Sequence, residues 1–186
     1  MKSIVLLGAS RAGKSTFAGM LSKELKSCQI ISGDLVRLAY RDEIYKSKNI
    51  KASLMKEIPE YRNFLKSYFD YTIKYDNSIY TILDTVDFKP RDYELFKNSL
   101  IIVFGYPNLT KEECLNNWRT YIEPNDWTLN KTDEELLNKA QRTINESQQF
   151  LKECKKYNLK FVDTSFNRKK VLNDLLTWTK NKIEKS

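Results

Sequence analysis

The stretch GASRAGKST, residues 8–16, decides the fold of this chain. It has the spacing G-x-x-x-x-G-K-[ST], with Gly8, Gly13, Lys14 and Ser15 at the fixed positions. The glycines let the backbone turn and approach an anion closely, and successive amides then point inward as an anion-binding nest. Apolar residues precede the stretch and a helical pattern follows it. We therefore predict a strand, a phosphate-binding loop and a helix whose N-terminus faces the phosphate.

The loop residues have separate tasks in such a site. Lys14 can bridge the β- and γ-phosphates of a nucleoside triphosphate, and the Ser15 hydroxyl can ligate Mg²⁺. The motif indicates a nucleoside triphosphate without distinguishing ATP from GTP. The residues predicted to bind the nucleotide here are Gly8, Ala9, Ser10, Arg11, Ala12, Gly13, Lys14, Ser15 and Thr16.

Outward from the loop, short apolar runs alternate with longer helical patterns. The runs are Ser3–Leu7, Cys28–Ile31, Ile79–Leu83, Leu100–Phe104 and Lys160–Val162. Helical periodicity covers 15–26, 132–156 and a C-terminal segment around 171–183, and Thr132 with Glu135 predicts a capping box. This alternation predicts an α/β fold, with a five-stranded parallel sheet between two helical layers. We expect one domain over residues 1–186.

Two intervals are too long for simple crossovers. Residues 35–77 are helical and aromatic. Tyr61, Phe64, Tyr68, Tyr71 and Tyr75 fall on one stripe there. A core-facing helix face is the favoured interpretation of this stripe, and a stacking surface for a planar substrate is the alternative.

The second long interval, residues 106–131, contains Trp118, Arg119, Tyr121 and Trp127. It forms either a mobile lid or a packed helical insert.

Composition excludes several classes of protein. The 186 residues contain no histidine, which rules out Ser-His-Asp catalysis and histidine metal sites. Three widely spaced cysteines, Cys28, Cys114 and Cys154, predict reduced and mostly buried thiols. We find no apolar run long enough for a membrane span or a signal peptide, so we expect a cytoplasmic protein. The net charge of +8 admits nucleic acid as a partner without favouring it, and the oligomeric state stays open.

A second motif, Ile31-Ser32-Gly33-Asp34-Leu35-Val36-Arg37, follows the second apolar run. Asp34 and Arg37 are one helical turn apart, so both side chains can face the strand ends. Together with the loop, this stretch resembles the nucleoside monophosphate kinase superfamily of P-loop kinases, adenylate kinase in particular. The resemblance implies a P-loop kinase fold with a helical acceptor-binding insert at about 35–77 and a lid at about 106–131. It also implies that Arg37 holds the acceptor phosphate, although the threonine of the family motif is missing here.

A third stretch, residues 83–91, is similar to the Asp-Gly-Phe-Pro-Arg segment of that superfamily, with an insertion. Asp84 ends an apolar run, where a carboxylate is costly unless it is paired. A Mg²⁺-bound water is a suitable partner for it. The resemblance makes Arg91 a second phosphate-binding arginine for the acceptor.

The chain also departs from the superfamily. The lid interval offers only Arg119 to neutralise the transferred phosphoryl group, with Arg142 further along, and the glutamine-bearing stretch that reads the acceptor adenine is absent. After the last strand, the loop at 163–168 resembles the one that packs on the nucleotide base in P-loop kinases. Arg168 or Phe166 is therefore a candidate for stacking on the base.

These observations predict an ATP- and Mg²⁺-dependent phosphotransferase in which Lys14 and Arg119 offset the charge on the transferred group. A hydroxyl acceptor is slightly favoured, with Asp34 as the general base. A nucleoside monophosphate kinase is the main alternative, and a nucleic-acid-end kinase is another.

A nucleotide-dependent switch protein is a further alternative. Asn130-Lys131-Thr132-Asp133 spells a guanine-reading pattern. It precedes a long capped helix, however, where such a motif would end a strand.

Overall fold

The computed structural model describes residues 2–46, 50–122 and 126–184. One parallel sheet has the strand order β2-β3-β1-β4-β5. Its strands are β1 (Ser3–Gly8), β2 (Cys28–Ser32), β3 (Tyr80–Asp84), β4 (Leu100–Gly105) and β5 (Lys160–Asp163). Each lies within one residue of its predicted run, because a short apolar segment between turn residues is a strong strand signal. The predicted α/β fold is confirmed.

The strands β1 and β4 are buried along their whole length, whereas β3 and the two edge strands are partly exposed. All six residues of β1 and all six of β4 are buried. In the register, Leu6 of β1 lies opposite Asp84 of β3 and Ile102 of β4. Because every pair is parallel, the carboxyl ends of all five strands meet at one edge of the sheet, where ligands bind in open α/β folds.

Helices cover both faces of the sheet and give each its own core. They are α1 (Lys14–Glu24), α2 (Gly33–Ile44), α3 (Pro59–Tyr75), α4 (Lys111–Thr120), α5 (Asp133–Tyr157) and α6 (Arg168–Glu184). Ile4 and Leu6 pack with residues of α1 and α6 on one face, and Val5 and Leu7 pack with residues of α3 on the other. The alternation of β1 side chains thus separates two cores, as the predicted two helical layers require.

The aromatic stripe of α3 does not face the core, so the favoured interpretation was wrong for four of its five members. Only Tyr61 is buried, whereas Phe64, Tyr68, Tyr71 and Tyr75 are 42–66% exposed. Leu65 and Phe69 share the buried face with Tyr61. Tyr61, Leu65 and Phe69 are spaced by four residues and form a second stripe along the helix. This stripe, and not the aromatic one, packs into the core.

The 106–131 interval contains α4, whose Cys114 and Trp118 are buried in the core. The Thr110 side chain caps α4 and Thr132 caps α5, each in a capping box with the glutamate three residues later, so the predicted box at Thr132 is confirmed. This part of the interval is a packed helical insert; residues 123–125 of the predicted lid lie outside the described residues.

Three features complete the description of the fold. The 35–77 interval consists of α2, the 3₁₀ helix Ala52–Glu57 and α3, apart from residues 47–49, which lie outside the described residues. A second 3₁₀ helix, Pro90–Phe96, leads to β4. Within 2–46, 50–122 and 126–184, no helix combines the length and apolar character that a membrane span needs.

Candidate active site

The phosphate loop joins β1 to α1 at the carboxyl edge of the sheet. Gly8 has φ +127°, and a Cβ on it would lie 2.0 Å from the Phe104 carbonyl oxygen. The Ala9 amide donates to that same oxygen at 3.0 Å. Gly13 has φ +99° and caps α1. The two motif glycines therefore stand where a side chain would clash or strain the backbone, as the sequence predicts.

Lys14 folds back over the loop and is 95% buried. Its Nζ donates to the carbonyl oxygens of Ala9 at 2.8 Å and of Gly8 at 3.3 Å. Burial lowers the pKa of Lys14, and four nearby carboxylates oppose that shift: Asp84, Asp34, Glu146 and Asp87. Lys14 is thus a buried cation whose charged form is favoured by carboxylates of β3, α2, α5 and the loop after β3.

Ser15 and Asp84, the two predicted metal ligands, lie side by side. The Ser15 hydroxyl donates to Asp84 Oδ2 at 2.6 Å. Burial raises the pKa of Asp84, and Lys14 and Ser15 offset only part of that rise. The Ser15 hydroxyl and the Asp84 carboxylate are both hard oxygen donors, and the negative charge of the buried Asp84 is only partly balanced by its neighbours. Both features fit the chemistry of Mg²⁺. Asp84 reaches this place because its partners in the register are Leu6, two residues before the end of β1, and Ser32 at the end of β2.

Arg168, the first residue of α6, lies against the phosphate loop. Its Nη2 is 3.3 Å from Thr16 Oγ1, and its guanidinium is 5.9 Å from the centre of the Tyr121 ring. A Cβ on Gly13 would lie 3.0 Å from its Nε. Burial lowers the pKa of Arg168. The planar cation is thus partly desolvated beside the loop, as expected for a group that stacks on a base.

Arg11 connects the phosphate loop to the segment after α4. Its guanidinium pairs with Asp126 and donates to the carbonyl oxygens of Trp118 at 3.1 Å and Tyr121 at 2.7 Å. Arg11 itself has φ 60°, in the left-handed region. Arg11 and Arg168 line one cavity of about 700 Å³ together with Tyr106, Trp118 and Tyr121. This cavity has the size of a small-molecule site. We call it the donor pocket because it adjoins the loop that is predicted to bind the nucleotide.

On the other side of Lys14, α2 begins with an ion-paired cluster. Arg37 pairs with Asp34, at 2.5 Å, and with Asp87. Burial alone would lower the pKa of Arg37, but the two carboxylates outweigh it and the pKa is raised. Asp34 is 63% exposed, whereas Asp87 is fully buried. Two of the three predicted acceptor residues, Asp34 and Arg37, are thus together, with Arg37 already matched by two negative charges.

Asp87 belongs to a buried network that the sequence reasoning missed. Its Oδ2 lies 2.8 Å from the Tyr61 hydroxyl and 2.9 Å from Thr85 Oγ1. The Tyr61 hydroxyl also lies 3.1 Å from the Gly33 carbonyl oxygen. Burial and the Asp87 charge raise the pKa of Tyr61, which stays a neutral donor. A signal was present: Asp87 is a second acidic residue just beyond an apolar strand.

Glu146 is the other missed residue. It lies half-buried in the middle of α5 and acts on Lys14 electrostatically. No motif surrounds it, so only the packing of α5 beside the sheet could reveal its position.

Two predicted arginines have partners elsewhere. Arg119 binds Asp133 at 2.6 Å and the carbonyl oxygens of Thr128 and Lys131. Arg91 lies on the 3₁₀ helix Pro90–Phe96, 3.7 Å from Glu153 near the end of α5. Because α5 returns the chain to the amino end of β5, that end of the helix is remote from the strand edge where the loop lies. The structure does not bring Arg91 to the site, and a role for Arg119 stays a prediction.

The residues of the guanine-reading pattern at 130–133 make contacts at the start of α5. Lys131 pairs with Glu135 at 2.7 Å, Thr132 caps α5, and Asp133 pairs with Arg119. These contacts are those of a helix start, in agreement with the sequence interpretation.

Comparison with solved structures identifies the fold and not the family. The chain is similar to shikimate kinase from Bacteroides thetaiotaomicron, with a TM-score of 0.60 and 14% identity over 98% of both chains. A sugar kinase from Janibacter sp. HTCC2649 matches with a TM-score of 0.55 and 15% identity, over 97% of this chain and 95% of that one. A putative kinase from Chloroflexus aurantiacus gives 0.56 and 14%, over 99% and 97%. No family model and no curated protein matches the chain. It has a P-loop kinase fold.

Proposed function

We propose that this protein is a small ATP-dependent kinase that transfers the γ-phosphoryl group to a hydroxyl of a small-molecule acceptor. The observation that carries the proposal is the arrangement around Lys14. The phosphate loop surrounds Lys14, and both Asp84, which is bonded to Ser15, and the exposed carboxylate of Asp34 lie near enough to act on its charge. The similar solved structures include a shikimate kinase and a sugar kinase, which supports phosphoryl transfer to a hydroxyl group.

The charge around Arg37 favours a hydroxyl over a phosphate as the acceptor. An acceptor phosphate needs an arginine whose charge is available. Here both ends of the Arg37 guanidinium are occupied by carboxylates, one of them fully buried on Asp87. An incoming phosphate would have to displace Asp34 and would still meet a net negative cluster. A neutral hydroxyl has no such cost, and the exposed Asp34 can accept its proton.

In the proposed reaction, the donor triphosphate lies over the loop amides, with its base toward Arg168 in the donor pocket. Lys14 leaves the Ala9 and Gly8 carbonyl oxygens and binds the phosphate oxygens. Ser15 and Asp84 would hold Mg²⁺, which would offset the negative charge of the donor phosphates. Asp34 takes the proton of the acceptor hydroxyl while the hydroxyl oxygen attacks the γ-phosphorus in line. ADP leaves, and Lys14 compensates the charge that develops on the transferred group.

The test is a transfer assay with γ-labelled ATP. Four acceptor pools are compared: sugars and other small polyols, nucleosides, nucleoside monophosphates and RNA with 5′-hydroxyl ends. Label in the small-hydroxyl pool supports the proposal. Label confined to nucleoside monophosphates would establish the alternative phosphate acceptor, and label in RNA a nucleic-acid-end kinase. Turnover that requires a macromolecule and labels none of the pools would point to a switch protein. Lys14→Ala is the negative control, and γ-labelled GTP tests the donor.

A further inference from the structure

A second cavity, of about 610 Å³, lies between the 3₁₀ helix Ala52–Glu57 and the first half of α5. It shares no lining residue with the donor pocket. Its walls include Lys56, Lys139 and Arg142, with Trp127 and Glu146. We call this cavity the cationic groove.

The charges of the cationic groove are poorly compensated. Lys56, Lys139 and Arg142 form no ion pair within 4 Å with any carboxylate in residues 2–46, 50–122 and 126–184. Lys139 instead places its Nζ over the Trp127 ring, 4.9 Å from the centroid. Burial lowers the pKa of Lys139, the neighbouring charges of Lys56 and Arg142 lower it further, and Glu146 opposes them. The lining also contains Lys131 and Glu135, which pair with each other. The three remaining cations, from two elements, thus crowd together around Glu146, which is costly in the absence of an anion.

The cationic groove also extends toward the reacting centre. Glu146 lines it and acts on Lys14 as well. Arg142 and Glu146 are four residues apart on α5, and Lys139 is three residues before Arg142, so these side chains lie along one face of the helix. Lys56 approaches from the insert that also contains α2 and Asp34. An acceptor that presents a hydroxyl to Asp34 therefore has the cationic groove within reach of its other end.

We infer that the cationic groove binds an anionic group of the acceptor, a phosphate or a carboxylate, remote from the hydroxyl that receives the phosphoryl group. This inference rests on the proposed function, because only a phosphotransferase has an acceptor. The positive charges that bind the anionic group of the acceptor are those of Lys56, Lys139 and Arg142. Arg37 does not provide that charge, because Asp34 and Asp87 already neutralise it. Trp127 supplies an apolar wall beside the anion site.

The first experiment tests anion binding without any acceptor. Inorganic phosphate and, separately, acetate are titrated by calorimetry into the full chain carrying Lys14→Ala, which weakens the phosphate loop as a competing site. Adding Lys139→Gln and Arg142→Gln is expected to weaken binding of the recognised anion about 10- to 100-fold, the loss of a charge-assisted hydrogen bond. Both residues are only partly covered and keep a large part of their surface in solvent, so the fold should not change. Lys152→Gln, an exposed cation further along α5, is the control and should have no effect. The inference is overturned if the two substitutions leave the affinity for the anion unchanged, or if neither phosphate nor acetate binds.

The second experiment separates the inference from the proposed function. Neutral sugars, sugar phosphates and sugar acids are compared as acceptors with the wild-type chain and the Arg142→Gln variant. We expect transfer to one charged pool, with KM for that acceptor raised about 10- to 100-fold by Arg142→Gln and kcat changed far less. Efficient transfer to neutral sugars that Arg142→Gln leaves unchanged would refute the inference while the proposed function stands. Phosphate or acetate bound in the groove without transfer to any hydroxyl would refute the proposed function alone.

Discussion

The two sides of Lys14 differ in how their charges are arranged. On the donor side, Arg11 belongs to the phosphate loop and Arg168 lies against it, and Arg168 pairs with no carboxylate among the described residues. On the acceptor side, Arg37 is enclosed by Asp34 and Asp87. The donor pocket thus keeps a planar cation for a ligand, whereas the start of α2 offers a carboxylate. A kinase that moves a phosphoryl group to a hydroxyl needs this asymmetry, since one substrate brings negative charge and the other must lose a proton.

Lys14→Ala removes the positive charge that lies between the donor side and the acceptor side, and it should have the largest effect. Phosphoryl transfer should be abolished, and nucleotide affinity should fall about 10- to 100-fold, because charge-assisted bonds to the phosphates are lost. Calorimetry with a nonhydrolysable ATP analogue and a transfer assay measure the two effects. Lys23→Ala, at the exposed end of the same helix, is the matched control. Unchanged turnover in Lys14→Ala would remove the phosphate-loop interpretation altogether.

Asp34→Asn tests the acceptor side alone. If Asp34 is the general base, transfer should fall about 10²- to 10⁴-fold, because the amide cannot take the hydroxyl proton. Donor affinity should stay at the wild-type value. Asp42→Asn, an exposed carboxylate on the same helix, controls for the loss of a negative charge.

Arg37→Ala is the companion variant. A mild effect of Asp34→Asn beside a severe effect of Arg37→Ala on the acceptor KM would show a phosphate acceptor and reverse the assignment.

Arg168→Ala tests the donor side alone. Removing a planar cation from the base should weaken nucleotide binding about 10-fold, in line with about 1–2 kcal/mol for a partly desolvated stacking contact. The acceptor KM should not change. Arg168→Lys keeps the charge but loses the planar group, so it should recover little of the affinity if stacking is the cause. Full recovery by lysine would show that only the charge matters.

Asp84→Asn should have the smallest effect of these variants, which in the ligand-free protein is a gain in stability. The folded pKa of Asp84 is raised, so the folded chain binds its proton more readily than the unfolded chain does. Ionised Asp84 therefore destabilises the fold at neutral pH, and the variant should melt higher, by about 2–4 °C for each ~1 kcal/mol. This gain should fade as the pH falls below the folded pKa toward ~4, the value of an unfolded aspartate.

Melting curves of wild type and Asp84→Asn at pH 7 and pH 4, without nucleotide or Mg²⁺, measure the difference. The same variant should lose the Mg²⁺ dependence of nucleotide binding. A variant that melts lower at pH 7 yet binds Mg-nucleotide normally would make Asp84 a structural residue.

The donor side could be predicted from the sequence because phosphate binding by a loop involves residues that are neighbours along the chain. Phosphate binding by a loop depends on backbone turns and on amides of neighbouring residues, so Gly8, Gly13, Lys14 and Ser15 form a recognisable string. Asp84 could be placed beside them because parallel strands end at a common edge. The strands themselves lie within one residue of prediction.

The acceptor side depends on contacts between distant segments, which a sequence pattern does not record. The orientation of the α3 stripe was predicted wrongly because two stripes compete for one core, and only packing selects Tyr61, Leu65 and Phe69. Arg91 was assigned from a resemblance, and the 3₁₀ helix turned it toward Glu153 instead.

The sequence by itself determined the phosphate loop, the order of strands and helices and the Ser15–Asp84 pair, because each follows from local turns or from the common edge of a parallel sheet. Only the tertiary structure decided that Arg37 is neutralised by Asp87, that Glu146 acts on Lys14, and that Lys56 and Arg142 line one groove. Those relations join residues some 50 to 130 positions apart. Electrostatic interaction falls with distance in space, not with separation along the chain, so folding alone brings these charges together.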